Sequence, residues 1–317
     1  MRHVFIINPA AGKEDSYTKL RELLSSREDC ELYATKCPGD ATAYIRARCT
    51  EHPEERVRFY ACGGDGTLGE VVNGAVGFEN ASVGCYPCGS GNDFVKYFGG
   101  KRVFRDLDAL IEAREEWIDL MRVGDSYAVN ATHFGFDSAV ADTMRRVRRK
   151  KIIGGGNAYT TGVVVSLFTA MKNKCSVYAD GELLNPKGEI LLCTVANGQY
   201  VGGSFRCAPR SLCNDGLLEV CLVHPVSIPT FLNLIGDYGK GTHLEERKFE
   251  KYIVYRRAKE VRIEAPEGFL YSFDGELVEN NSFTVEAVPQ AIRFAVPKGA
   301  VFLPGALHVS RYAEDGE

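Results

Sequence analysis

The residues best suited to do chemistry lie in Phe59-Tyr-Ala-Cys-Gly63-Gly64-Asp65-Gly66-Thr67-Leu68-Gly69-Glu70-Val-Val-Asn73-Gly74. The segment reads as a strand, a loop of three glycines around one acid, and an amphipathic helix from Thr67 to about Val76. Glycine lets backbone N–H groups approach an anion closely, and a helix N-terminus adds partial positive charge. Asp65 beside bound phosphates would repel them unless a cation intervened, and magnesium favours one or two carboxylates together with phosphate oxygens. Thr67 is placed to cap the helix and offer its hydroxyl to phosphate. No Gly-Lys-Ser/Thr follows at Walker A spacing.

The elements that must position this loop alternate through the first third. Strands are predicted at Val4–Ile7, Glu31–Thr35, Val57–Cys62 and Val83–Tyr86, with helices at Ser16–Ser26 and Asp40–Cys49 between them. That rhythm implies a parallel sheet with helices on its faces. After about Leu120 strands dominate: Glu189–Ala196, Leu217–Val223, Val261–Glu264, Phe269–Phe273 and Ser282–Glu286, with helices at Gly162–Met171 and Ile228–Gly236. A final apolar stretch, Ala291–Val296, has no assignable sheet. The expected division is an α/β domain over 1–121 and a β-rich domain over 122–290, with the tail 291–317 as a segment that could complete the first.

The glycine loop with Glu70-Val-Val-Asn73-Gly74 resembles the signature of the diacylglycerol kinase catalytic-domain family, which includes bacterial soluble lipid kinases and sphingosine kinases. Three further segments carry the resemblance in order: Asn8-Pro9-Ala-Ala-Gly12-Lys13, Pro87-Cys-Gly89-Ser90-Gly91-Asn92-Asp93-Phe94, and Phe273-Asp274-Gly275-Glu276. NAD kinases share the Gly-Gly-Asp-Gly core more distantly. The resemblance implies an α/β plus β-rich fold: a three-layer nucleotide-binding domain, a β-sandwich-like lipid-substrate domain, and an active site in the cleft between them. It further implies an ATP- and magnesium-dependent lipid kinase that phosphorylates diacylglycerol to phosphatidic acid. Other lipid alcohols (a sphingoid base, a monoacylglycerol or a polyprenol-type lipid) stay open as acceptors. An NAD kinase is disfavoured by the Asn92-Asp93-Phe94 and Asp274-Gly-Glu276 motifs, and a non-catalytic sensor by the survival of all the carboxylates.

Carried over residue by residue, the resemblance assigns nucleotide binding to Asn8, Lys13, Thr35, Gly63, Gly64, Asp65, Gly66, Thr67, Leu68, Gly69 and Ser90. Asp65, Asp93 and Asp119 correspond to an acidic network around magnesium. Glu276 corresponds to the base that accepts the hydroxyl proton, with Asp274 in support. Leu212 and Leu217 through their carbonyls, and Asp215 through its carboxylate, correspond to ligands of a second, structural magnesium. Asn197-Gly-Gln-Tyr-Val-Gly202-Gly203 resembles a family segment lining the cleft. Ser90 stands for the usual Thr and Gly69 for a frequent Asn, the second change removing a possible side-chain donor.

The chain has 317 residues, with 45% hydrophobic and 25% charged, a composition that supports globular cores without staples. A net charge of −4 argues against a nucleic-acid partner. The dense basic run Arg145-Arg146-Val-Arg148-Arg149-Lys150-Lys151 offers a peripheral contact with an anionic membrane, each charge worth up to about 1 kcal/mol. Eleven cysteines, many inside apolar runs, read as reduced core residues, and Cys85-Tyr-Pro-Cys88 lacks the second pair that zinc would need. The start reads as a strand rather than a secretory leader, so a cytoplasmic protein visiting the inner face of the membrane is expected. Dimers are common among such relatives, leaving a homodimer open.

Overall fold

The computed structural model describes residues 1–9, 16–89, 91–149 and 170–300. It divides into two compact units, the first Met1–Leu120 with Arg210–Leu217 and the segment from Val288 onward, the second Met121–Pro209 with Leu218–Ala287.

The first unit follows the alternation read from the sequence: β1 (Arg2–Ile7), α1 (Ser16–Leu24), β2 (Cys30–Ala34), α2 (Asp40–Glu51), β3 (Val57–Gly63), α3 (Asp65–Ala75) and β4 (Ala81–Pro87). A 3-10 turn (Phe94–Phe98), α4 (Lys101–Phe104), α5 (Leu107–Ile111) and β5 (Arg114–Val123) follow. The strands β2, β1, β3 and β4 pair in that order and all in parallel. Every residue of β3 is buried, as expected of a strand covered on both faces. Helices α2 and α3 pack closely at Gly74, where a Cβ would lie 2.8 Å from the Ile45 Cβ. Parallel pairing puts the C-terminal ends of all four strands at one edge, where open α/β sheets take their ligands.

The second unit contains β6 (Ser126–Ala128), β7 (Ala131–Gly135), α6 (Phe136–Arg149), β8 (Asn173–Lys174), β9 (Ser176–Ala179), β10 (Glu182–Leu183), β11 (Glu189–Ile190) and β12 (Leu192–Ala196). It continues with β13 (Leu218–Val223), α7 (Ile228–Lys240), β14 (Ile253–Ala258), β15 (Glu260–Glu264), β16 (Leu270–Phe273), β17 (Glu276–Glu279) and the start of β18 (Ser282–Val296), whose residues from Val288 belong to the first unit. Six strands form an antiparallel sheet in the order β14-β13-β12-β7-β16-β17. A second antiparallel array runs β10-β9-β15-β18. Phe134, Val195 and Val220 of the first sheet share a core with Val177, Ile263 and Val285 of the second, which makes the unit a sandwich. The opposite face of the six-stranded sheet buries Leu192 and Val223 against Phe231 and Leu234 of α7. Ser227 caps that helix through the Thr230 N–H, and Gly241 ends it with φ 80°.

The predicted strand Glu189–Ala196 is two, β11 and β12, and the predicted helix Gly162–Met171 lies largely outside the described residues. The stretches Ser282–Glu286 and Ala291–Val296 belong to one strand, β18. Its first residues pair antiparallel with β15, and Phe294 pairs parallel with Val83 of β4.

Candidate active site

The glycine loop is tighter than its sequence suggests. Helix α3 begins at Asp65, not Thr67, and its N-cap is Gly64 with no side-chain cap. Thr67 therefore lies inside the first turn, buried, and the expected cap is corrected. The reason is steric: a Cβ at Gly63 would collide with Thr67 Oγ1, so the missing side chain lets the helix start immediately after the strand. A second loop, after β4, folds onto the first. The Gly63 carbonyl accepts the N–H groups of Cys88 (3.0 Å) and Gly89 (2.9 Å) and the Asn92 side-chain amide (2.8 Å). A Cβ at Gly89 would lie 2.5 Å from the Gly64 Cα, so the loops meet backbone to backbone.

Asp65 locks the pair. Its carboxylate accepts the backbone N–H groups of Asn92 at 2.8 Å and Asp93 at 2.7 Å, with Asn92 held at φ 49°. The Asp93 carboxylate takes Lys96 Nζ at 2.5 Å. Burial, with the Asp93 charge adding to it, pushes the Asp65 carboxyl above its ordinary range. Phe94 is the apolar anchor of this loop, edge-on to Phe98 (5.6 Å between centroids) and Phe294 (5.3 Å).

Asn8 and Thr35 stand at the ends of β1 and β2, on the strand edge that carries the glycine loop. The Thr35 N–H donates to the Ile7 carbonyl at 2.9 Å, and the Asn8 N–H to the Cys62 carbonyl at 3.4 Å. Gly69 lies within α3, its carbonyl taken by the Asn73 amide at 2.8 Å. The Leu68 side chain is buried in the core, which leaves only its backbone for a nucleotide. Lys13 and Ser90 lie outside the described residues, as do Lys150, Lys151 and the side chains of Arg145, Arg146, Arg148 and Arg149.

Asp119, on β5, is fully buried and serves as a backbone clamp. Its carboxylate accepts the N–H groups of Gly216 (2.6 Å) and Gln290 (2.8 Å) and bonds the Asp215 backbone. Its own N–H donates to the Cys213 carbonyl at 2.7 Å. The Leu217 N–H reaches Asp215 Oδ1 at 3.1 Å, closing an Asx-type turn over the proposed second metal position at Leu212, Asp215 and Leu217. The acids thus group as Asp65 with Asp93 and as Asp119 with Asp215. Among the described residues no cluster of three or more His, Cys, Asp or Glu side chains is placed to hold a metal ion.

In the second unit, Asp274 and Gly275 form the two-residue hairpin between β16 and β17, with φ of 45° and 92° and Phe273 paired to Glu276. The Asp274 carboxylate accepts three consecutive backbone N–H groups, from Val129 (2.7 Å), Asn130 (3.0 Å) and Ala131 (2.9 Å). Asn197, from the motif expected to line the site, donates its amide to the Val129 carbonyl at 2.9 Å, and the Asn130 amide bonds the Tyr200 carbonyl at 2.9 Å. Asp274 thus fixes a hydrogen-bonded platform, and Glu276 stands exposed two residues beyond it. Asn130 was not legible from sequence: it is buried, and its Oδ1 has no hydrogen-bond partner among the described residues.

Each half of the chain matches a known family. Residues 2–123 match the diacylglycerol kinase catalytic domain, and residues 130–296 match the YegS C-terminal NAD kinase beta sandwich-like domain. The diacylglycerol kinase of Bacillus subtilis (strain 168) is 28% identical over 86% of this chain and 88% of its own. A protein of Pseudomonas fluorescens (strain Pf0-1) named "Probable lipid kinase YegS-like" is 31% identical over 79% of each chain. A diacylglycerol kinase structure from Bacillus anthracis str. Sterne shares the fold, with a TM-score of 0.68, 23% identity and coverage of 95% of this chain and 98% of that one. With both halves matched in order, the chain belongs to the diacylglycerol kinase and YegS-like family of lipid kinases.

Proposed function

We propose that the protein transfers the γ-phosphate of ATP to the hydroxyl of a lipid alcohol, with diacylglycerol as the favoured acceptor. The observation that carries this reading is the pair of glycine loops stitched together by Asp65 at the C-terminal ends of β3 and β4. Backbone loops held this close, ahead of a helix N-terminus, suit a polyphosphate. The similarity to a named diacylglycerol kinase supports the choice of acceptor.

In the reaction the lipid oxygen attacks Pγ, the bond from Pγ to the β–γ bridging oxygen breaks, and ADP departs. The acceptor proton passes to the exposed Glu276 carboxylate, whose neighbour Asp274 is committed to three backbone N–H groups and acts as its support. Magnesium fits best at Asp65 and Asp93, two adjacent carboxylates whose mutual repulsion a divalent cation would relieve. When bound there it would neutralise charge on the transferring phosphoryl group. The Asx turn at Asp215, with the Leu212 and Leu217 carbonyls, is the candidate second metal position. Among the described residues no helix is long and apolar enough to cross a membrane, so the lipid would be met by peripheral contact, with Arg145 to Lys151 as the candidate patch.

The test is transfer of labelled γ-phosphate to a panel of lipid alcohols and NAD in mixed micelles, with Asp65→Ala as control. Selective labelling of diacylglycerol, lost in the variant, is expected. Labelling of another lipid alone would move the acceptor, and labelling of NAD alone would overturn the reading.

A further inference from the structure

Three strand ends meet at one edge of the six-stranded sheet. Strand β7 runs between β12 and β16, with Ala131 paired to Ala196 and Thr132 to Phe273. Asn130, one residue ahead of β7, therefore lies between Asn197, which follows β12, and Asp274, which follows β16. It bonds both. Its N–H donates to the Asp274 carboxylate at 3.0 Å, and its carbonyl accepts the N–H groups of Asn197 (2.9 Å) and Gly198 (2.8 Å). Those bonds use the main chain and would form with any residue but proline. The side chain adds a bond that needs asparagine. Its amide donates to the Tyr200 carbonyl at 2.9 Å, and neither aspartate nor alanine has a donor to put in its place. Tyr200 belongs to a braced stretch. Arg206 grips the neighbouring Gln199 side chain through Nε (3.0 Å) and Nη2 (2.8 Å), and the Asn197 amide fastens the start of the stretch to the Val129 carbonyl at 2.9 Å. The Asn130 side chain thus ties the platform that holds Asp274 to a loop already fixed at two other points. Glu276 stands just past the two-residue turn that Asp274 opens.

Resting on the reading of Glu276 as the proton acceptor, we propose that Asn130 is a positioning residue for it. The Asn130 amide holds the Val129–Ala131 platform against the 197–203 loop, and so fixes where the Asp274 hairpin presents the Glu276 carboxylate. A carboxylate that takes a proton from an attacking hydroxyl must stand within hydrogen-bond reach of it, and a displacement of about 1 Å costs on the order of 10²-fold. Asn130 then acts on turnover through Glu276 and leaves ATP binding alone. A residue that only stabilised the fold would matter as much without Glu276 as with it.

The experiment is a double-mutant cycle on the full chain, with Asn130→Ala and Glu276→Gln made singly and together. Its readout is transfer of labelled γ-phosphate from ATP to diacylglycerol, or to the lipid alcohol that the panel above labels best. Asn130→Ala is expected to lower kcat roughly 10- to 100-fold with KM for ATP unchanged, and to lower it by less than about twofold in the Glu276→Gln background. Asn130→Ser, which keeps a donor, is expected to recover part of the loss. Asn130→Asp, which keeps the shape without the donor, carries the cycle if the alanine variant does not fold. Equal factors in the two backgrounds would reduce Asn130 to a stabiliser of the fold and overturn the proposal, as would an unchanged kcat in Asn130→Ala. Near wild-type turnover in Glu276→Gln would overturn the reading of Glu276 as base, and the role of Asn130 with it. A wild-type protein that labels no lipid would overturn the kinase reading itself, and the proposal with it.

Discussion

Asp65 Oδ1 accepts the backbone N–H of Asp93 at 2.7 Å, so the acid of the first glycine loop holds the acid of the second in place. Asp65→Asn would set an amide N–H₂ against one of two backbone N–H groups and leave it unsatisfied. The expected cost is about 1–3 kcal/mol of stability. Turnover is expected to fall on the order of 10²-fold or more, since the proposed phosphate cradle and the proposed cation would both depend on this carboxylate. Thermal unfolding and lipid phosphorylation measured side by side check this. A variant that melts like wild type would show that the two backbone bonds do not lock the loops.

Asp274 and Glu276 separate cleanly by readout. Asp274 bonds three N–H groups of the Val129–Ala131 platform, whereas Glu276 is exposed. Asp274→Asn is expected to lower stability by roughly 1–3 kcal/mol as well as activity. Glu276→Gln is expected to leave melting unchanged while kcat drops roughly 10²- to 10⁴-fold. Near wild-type turnover in Glu276→Gln would remove it from the role of base.

Gly89 and Gly69 differ in what surrounds them. A Cβ at Gly89 would press on the Gly64 Cα at 2.5 Å, and neither backbone can yield without separating the loops. Gly89→Ala is therefore expected to abolish nucleotide binding. At Gly69 a Cβ meets nothing within 4 Å, inside a helix where glycine is a poor helix former. Gly69→Ala is expected to raise stability by up to about 1 kcal/mol with binding intact, measured by melting and ATP titration. A loss of ATP binding there would show that the loop needs freedom at Gly69.

The parallel sheet of the first unit was legible because Val4–Ile7 of β1 and Phe59–Cys62 of β3 are apolar runs ending in turn residues. The motifs were legible because glycine and acid spacing is local. The helix start at Asp65 was not, since it depends on Thr67 filling the space at Gly63. Nor was the unity of β18 legible. Pro289 and Gln290, the latter at φ 49°, interrupt its alternation, and the pairing of Phe294 with Val83 joins residues over two hundred positions apart. The resemblance assigns Asp119 to the acidic network around magnesium. Its backbone partners come from Asp215, Gly216 and Gln290, which no local pattern reveals.

His3 gives the protein a stability that depends on pH. It is buried on β1, with Nδ1 2.7 Å from the Tyr60 hydroxyl. Burial, with the Arg58 charge adding to it, lowers its pKa from 6.5 to about 4. Between those two values the unfolded chain binds a proton that the folded chain refuses, so stability rises with pH across that window. The contribution is complete above pH 6.5 and is lost as the pH falls through 6.5 toward 4, amounting to roughly 3 kcal/mol over the interval. His3→Leu is expected to flatten the dependence in that window, while at pH 7.5 it costs about 1 kcal/mol for the lost bond to Tyr60. Denaturant unfolding of both proteins at pH 4.5, 5.5 and 7.5 reads the two effects apart. Parallel stability curves would assign the acid sensitivity to other groups.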